Sequence, residues 1–413
     1  MPRNIFLFVA AVFLNNLIAA YAAVDCVECH RAVTPNIVAD WQASKHSKGS
    51  AGCATCHGSA HISEKDAAQA RMPTSGTCSG CHKKQFEQFN KGKHSRAWTA
   101  MNAMPAIHWE PVLLVDGLLG CGGCHKLGNK SEAEIRELNK KGTVYGMAAC
   151  DACHTRHAFS LQEARQPQAC QTCHMGFDHP QWEMYSSSKH GIRYLLKQNN
   201  ALSSAGEAPA CQTCHMQAGD HAVRAAWGFL AVRLPMPDDP QWAKDRGVIL
   251  RALGAVDGQG KTTARFEKMK ASDVVRTSQE DWQKERDSMI GTCAKCHSSG
   301  YASAQLKRAD GIIREADHIM AEAITIVGDL YAQGLLKKKD PSSDAYPDIL
   351  MFHNVSSSIE KTLFLMFKEY RMRTFQGAFH NNPDYTFWYG WSAMQQALTD
   401  IKEMARGLRK DAR

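Results

Sequence analysis

The sequence predicts a mainly α-helical protein with few strands, in which a body organised by repeated cysteine motifs precedes a C-terminal bundle of three long helices. Three observations carry this. The 16 cysteines of the 413-residue chain fall into eight copies of Cys-x-x-Cys-His, with none left over. Only 44% of residues are apolar and 8% aromatic, and long polar connections separate the motifs, so side chains alone offer little core. After the last motif, apolar residues recur at helical period.

The motifs are Cys26/Cys29/His30, Cys53/Cys56/His57, Cys78/Cys81/His82, Cys121/Cys124/His125, Cys150/Cys153/His154, Cys170/Cys173/His174, Cys211/Cys214/His215 and Cys293/Cys296/His297. In such a motif the two thiols add to the vinyl groups of a porphyrin, and the histidine is placed to ligate its iron from the proximal side. A single copy would also suit a redox dithiol or half a zinc site. Eight copies that consume every cysteine leave no room for a disulfide framework, a zinc site or a thiol nucleophile. The expectation is eight covalently bound haem c groups, whose discs stand in for core side chains, and a chain that orders only once they are attached.

Residues 1–22 read as a secretory signal, with Arg3 in the n-region, Ile5 to Leu14 as the apolar stretch and Ala20-Tyr21-Ala22 at the cleavage site. Asn15 and Asn16 break that stretch, and no later run is apolar for long enough to span a bilayer. We therefore expect export to the periplasm or an equivalent extracytoplasmic compartment, with no membrane span in the mature chain. The formal charge is +8. Two propionates on each haem offset it, so it predicts no nucleic-acid partner.

Residues 23–300 are expected to bind the haems and 301–413 to form the bundle. The motifs are unevenly spaced, which excludes a solenoid repeat. Between the seventh and eighth, Met216 to Thr292 carries Pro235, Pro237, Pro240 and the turn Gly258-Gln259-Gly260, and reads as loop with a short helix near Trp242 to Leu253. Ala304 to Lys337 forms the first long helix, stopped by Asp340-Pro341-Ser342-Ser343. A second runs from Tyr346-Pro347 to about Thr374 and a third from Trp391 to Lys410, a bundle through which subunits would associate.

A haem ligated by two histidines needs a second one on its distal side. Of 19 histidines, eight close the motifs, which leaves 11. His46, His94 and His190 lie in Ser-Lys-His or Gly-Lys-His, and His61, His157 and His221 follow a motif within a few residues. With His380 these make seven distal candidates. His179 follows Asp178, and from spacing alone it suits equally an eighth ligand or, with that acid, a proton-handling pair beside an open iron. His108, His318 and His353 have no assigned role, and His318 falls on the polar face of a helix.

The order of these features resembles the octahaem hydroxylamine oxidoreductase family. The resemblance is carried by Cys150-Asp-Ala-Cys-His-Thr-Arg-His157, Glu163-Ala-Arg-Gln-Pro-Gln-Ala-Cys170, Asp178-His179, Ser188-Lys189-His190-Gly191, and His380-Asn-Asn-Pro383 followed by Gly390-Trp391. It implies that the fourth haem, with His125 as proximal ligand, is catalytic and open on its distal side, while seven haems are bis-histidine. It also implies that Asp178 and His179 handle protons at the substrate, and that His380 completes the distal set without His179. Oxidative members carry a tyrosine after the equivalent of Pro383 that crosslinks to a neighbouring subunit's catalytic haem. Here that position falls at Phe387 or Trp388, with Tyr385 and Tyr389 displaced, and a second, distal tyrosine position three residues after Trp227 is Leu230.

Lacking the crosslink, the chain is similar to the reductive branch, which takes nitrite or nitric oxide toward hydroxylamine or ammonia. One alternative is oxidation of hydroxylamine or hydrazine, with Tyr385 or Tyr389 making the crosslink. Another is a non-catalytic electron-transfer subunit. The expected partners are a small nitrogen compound, a redox protein that donates or accepts electrons, and either two further copies in a homotrimer or a related octahaem subunit.

Overall fold

The computed structural model describes residues 25–102, 120–140, 149–176, 179–202, 206–224, 236–273, 275, 278–338, 344–351 and 355–412. The leader, His108, Asp178, Trp227, Leu230 and His353 lie outside them. Among the described residues the protein is helix and turn, with an isolated antiparallel bridge between Val256 and Thr262. The mainly α class expected from the sequence is what the structure has.

The chain divides into two compact units, one of residues 1–73 with 155–160 and one of 74–154 with 161–413. In the first, Asp25 caps the helix Cys26–Val33 by accepting from the Val27 N–H at 2.9 Å. Pro35 opens the next helix, Pro35–Ala43, where its missing N–H costs nothing. The motif Cys53–His57 is itself a single helical turn. Cys121–His125 and Cys211–His215 in the second unit have the same form. One turn suffices because residues i, i+3 and i+4 share a helix face, so both thiols and the imidazole point to the same side.

The second unit ends in long helices. Ser298 caps Ser299–Ala332, which spans 34 residues, or about 50 Å. It stops at Gly334, whose φ of +71° is a left-handed C-terminal cap, earlier than the expected stop beyond Lys337. The second long helix starts at Ser358, later than Tyr346-Pro347, where the Ser357 hydroxyl caps it by accepting from the Glu360 N–H at 3.4 Å and donates to Glu360 Oε2 at 2.7 Å. It continues through a wider turn at Met366–Arg371 into Met372–Phe379 and ends where Asn381 adopts a φ of +52°. The third begins at Asp384, ahead of Trp391, since Pro383 presets the first turn and the Asn382 side chain accepts from the Tyr385 N–H at 3.0 Å. The short helix in the long spacer is Pro240–Ala252, capped by Asp239.

These helices share one apolar cluster running from Ile249 to Ala405, with Ile324, Val327, Leu330, Met366 and Ile401 fully buried. A charge is locked into it. Asp317, with no exposed surface, accepts from Arg246 Nη2 at 3.1 Å, Arg371 Nη2 at 2.5 Å and Trp242 Nε1 at 2.8 Å. Burial by itself would raise the Asp317 carboxyl; the guanidinium groups of Arg371 and Arg246 outweigh it and hold the group below the ordinary carboxylate range. His318, one residue on, pairs with Asp245 at 2.9 Å and is otherwise mostly exposed.

Candidate functional site

An imidazole nitrogen about 2 Å from an iron on each of its faces places the two ring centres about 6 Å apart. Among the described residues, six pairs of histidines that join a motif histidine to one of the distal candidates have this spacing. In the first unit they are His30 with His61 at 6.0 Å and His57 with His157 at 6.1 Å. In the second they are His94 with His174 at 6.0 Å, His154 with His221 at 6.4 Å, His190 with His297 at 6.1 Å, and His215 with His380 at 6.4 Å. Rings at this spacing cannot bond to each other. With two thiols beside each motif histidine, the donor set fits haem c, and no cluster of side chains among the described residues suggests a different metal.

The backbone fixes which nitrogen of each ring faces the gap. Nδ1 of His57 donates to the Arg71 carbonyl at 3.0 Å, that of His125 to the Ala97 carbonyl at 2.9 Å and that of His380 to the Gln376 carbonyl at 2.8 Å. A carbonyl only accepts, so these rings carry their proton on Nδ1 and present Nε2 as a lone pair. His30, His61 and His174 use Thr34, Asp66 and Gln181 in the same way. Burial lowers His174 to about 3, with His94 and His179 adding to the effect, and lowers His215 to about 4, helped by His380. Both stay neutral at physiological pH, the state in which an imidazole ligates.

All 16 cysteines are free of disulfides, so each sulfur is available for a thioether bond. The motif thiols differ in exposure. Cys29 and Cys81 are exposed, as are Cys121 and Cys296, and Cys56 is only half-buried. Cys29 and Cys56 lie in Cys26–Val33 and Cys53–His57, and Cys81 follows Ser75–Ser79. Helix length does not decide this, because Cys296 is exposed although it follows the 15-residue helix Gln279–Cys293.

The thiols also show how the motifs follow one another. In the second unit Cys78 and Cys150 are in hydrogen-bond contact, as are Cys170 with Cys211 and Cys124 with Cys173. Cys153 feels the charges of Cys170 and Cys173, and Cys214 those of Cys293 and Cys296. The third, fifth, sixth, seventh and eighth motifs therefore form an unbroken series, with the fourth beside the sixth. In the first unit Cys53 similarly feels Cys26 and its own motif partner Cys56.

His46 lies in the first unit with its ring edge-on to Phe159 at 5.0 Å. His82 and His125 belong to the second. His179 is half-buried, its ring 6.1 Å from that of His174, and it acts electrostatically on Cys173. That places it beside the touching thiols of the fourth and sixth motifs. Asn382, 2% exposed, ties the loop after His380 to the helix that follows His179, donating to the Met184 carbonyl and to Ser187 Oγ, each at 2.8 Å. Beyond it the aromatic run is partly outside the core: Phe387 is 58% and Trp388 65% exposed, and Tyr385 and Tyr389 pack at 5.3 Å. Sequence reasoning does not find the Ala97 carbonyl, because a backbone acceptor carries no residue signature. Asn382 is visible only inside the quoted His380-Asn-Asn-Pro383.

Known proteins share this pattern. A family model described as a seven-times multihaem cytochrome CxxCH protein matches residues 49–233 and 261–342, well over half of the chain. A probable nitrite reductase-hydroxylamine oxidoreductase fusion protein of Kuenenia stuttgartiensis is 26% identical over 96% of the chain. The chain spans 53% of that relative's length. Among solved structures, a chain of the Kuenenia stuttgartiensis reducing HAO-like protein complex superposes with a TM-score of 0.65, at 26% identity over 94% of this chain and 85% of that one. A hypothetical multihaem protein, 22% identical, superposes over the full length of both chains at 0.64 and supports the fold. With its paired imidazoles and paired thiols, the chain belongs to the multihaem cytochromes that bind haem c covalently through Cys-x-x-Cys-His, and is related to hydroxylamine oxidoreductase-like proteins.

Proposed function

We infer that this chain is an octahaem oxidoreductase that reduces nitrite or nitric oxide to hydroxylamine or ammonia at the haem held by Cys121, Cys124 and His125, open on its distal side. The observation that carries the direction is the aromatic run. Phe387 and Trp388 stand where the resemblance places a crosslinking tyrosine, and neither side chain has a phenol oxygen. The solved relative named as reducing agrees.

A bound haem would supply a redox-active iron and pass on electrons from a redox protein donor. His125, its tautomer fixed by Ala97, holds that haem from the proximal side. His179, with Asp178 next to it in sequence, would donate one of the two protons with which an oxygen of nitrite leaves as water, the second coming from solvent. The series of neighbouring thiols supports a relay role for the third, fifth, sixth, seventh and eighth haems, and we extend it to the first two, Cys29, Cys56 and Cys81 each supplying the second sulfur of one of the first three. His46, His61, His94, His157, His190, His221 and His380 serve the seven as distal ligands.

Anaerobic incubation with nitrite and a low-potential viologen donor should yield hydroxylamine or ammonium in proportion to protein. Replacing His179 with Ala should abolish turnover with all eight haems retained; unchanged turnover removes His179 from the mechanism. The exposed Tyr389 favours one second reading, oxidation of hydroxylamine or hydrazine with a tyrosine crosslink, and a covalent multimer surviving denaturation would establish it. Residues 1–22 act in this reading as an export leader, residues 23–300 bind haem and 301–413 form the association bundle. The related complex argues for assembly with a second octahaem subunit over a homotrimer, and native mass spectrometry separates the two. No described helix is long and apolar enough to cross a membrane.

A further inference from the structure

The residues around His125 converge on one side chain. Trp98 is 4% exposed and, with Met101 and Leu138, forms a small apolar cluster of its own. Its Nε1 donates to Glu134 Oε1 at 3.2 Å, and the Lys130 ammonium lies 4.6 Å from the ring centre. The loop between His125 and Lys130 is pressed onto the same segment. A Cβ on Gly128 would stand 2.2 Å from the Trp98 nitrogen, and the Asn129 N–H donates to the Ser95 carbonyl at 2.9 Å. Glu134 is itself held by Ser131 at 2.8 Å, so the indole is gripped by a fixed carboxylate.

The segment that Trp98 anchors faces two motifs. Ala97 gives its carbonyl to Nδ1 of His125, and His94 lies 6.0 Å from His174. Four residues thus carry the hydrogen bond behind the fourth proximal histidine and the imidazole opposite the sixth. The strength of that hydrogen bond tunes how strongly a histidine donates to its iron, and ring orientation follows the backbone that holds it.

We propose that Trp98 is a positioning residue for two irons: gripped by Glu134, Lys130 and Gly128, it holds His94–Trp98 so that Ala97 sets the fourth site's proximal ligand while His94 meets the sixth site. The fourth-site half rests on the reading of an open fourth haem. The sixth-site half does not, since it follows from the facing rings alone. Trp98 touches neither substrate nor iron, and it acts through Ala97 and His94.

The test uses the holoprotein with all eight haems confirmed by mass. The iron–histidine stretching band of the reduced protein arises only from five-coordinate haem, so it isolates the fourth site from bis-histidine ones. The low-spin signal lost in His94→Ala identifies the sixth. Trp98→Ala should shift both, Glu134→Ala should shift both in the same direction but less, and Glu134→Gln, whose one amide oxygen can still accept from the indole while its NH2 cannot replace the oxygen that accepts from the Ser131 N–H, should shift them less than Glu134→Ala. Both signals unmoved in Trp98→Ala overturn the proposal. If Trp98→Ala fails to mature, Glu134→Ala decides on the same criterion. If the unaltered protein lacks the five-coordinate band, the open-site reading fails, and the low-spin signal then decides alone: a shift supports the role of Trp98, and no shift ends it.

Discussion

Between Thr74 and Arg224 the described α-helices are four to ten residues long, and the apolar cluster there is Trp98, Met101 and Leu138. Between Pro240 and Asp411 they reach 34 residues and share one continuous cluster of buried side chains. The first stretch carries five of the motifs, from Cys78 to His215, and the second only the last. Short helices with so little core cannot offset chain entropy alone. The contrast teaches that the two regions are packed by different materials, haem discs in one and side chains in the other, and that their stabilities should respond to different changes.

The largest expected effect comes from withholding haem. Protein made without haem attachment should lose helix and protease resistance before Arg224, while the helices Ser299–Ala332, Ser358–Phe379 and Asp384–Asp411 persist. Circular dichroism with limited proteolysis reads this, and equal loss in both regions would break the contrast. Next is Asp317→Ala, which leaves Arg246 and Arg371 buried without their carboxylate and should cost about 3–5 kcal/mol in denaturant unfolding, with haem content unchanged. The sign of the pH effect follows from the depressed carboxyl. Its stabilisation is complete above the ordinary aspartate value of about 4 and is lost as pH falls through the lower folded-state value, so the variant should have a flatter acid limb below about pH 4.

A smaller effect tests where the bundle carries a haem ligand. Gly390 lets two helices approach so closely that an added Cβ would lie 2.4 Å from Thr374 Oγ1, and Gly377, one turn before His380, meets Thr386 in the same way. Gly390→Ala should destabilise by about 1–3 kcal/mol and shift the low-spin signal of the seventh haem. An unchanged signal would mean that bundle packing does not reach His380. The smallest effect is at the surface, where Glu28 and Arg31 pair at 2.7 Å with both side chains more than half exposed. Glu28→Gln should change stability by less than about 0.5 kcal/mol, with every haem signal unaltered.

The helical class and the C-terminal bundle were legible because period and composition repeat over many residues. Helix ends were less so. The start at Ser358 is written in Ser357-x-x-Glu360, yet Tyr346-Pro347 is an equally ordinary start signal, and the buried Ile349 and Leu350 lie in turn between the two. The motif histidines and their cysteines are local patterns, but their burial is not: nothing in the motif distinguishes the exposed Cys29 and Cys81 from the less exposed Cys153. The meeting of His94 with His174, or of His215 with His380, is set by the path of the whole chain, and no spacing encodes it. The Asp317 cluster is similarly hidden, since its partners are 71 and 54 residues away in sequence.

The touching thiols have a further consequence, for how the protein is made. Cys78 with Cys150, Cys124 with Cys173 and Cys170 with Cys211 each join different motifs, and in each pair one thiol donates to the other and holds it below the ordinary thiol range. A thiolate beside a thiol is the geometry in which an oxidant forges a bridge. Any one of these three bridges would deprive two motifs of a sulfur. A bare chain that folded early in an oxidising compartment would thus seal itself against its own cofactor. Loading haem onto reduced cysteines before these motifs pack would leave each sulfur in a thioether and none of the three bridges able to form.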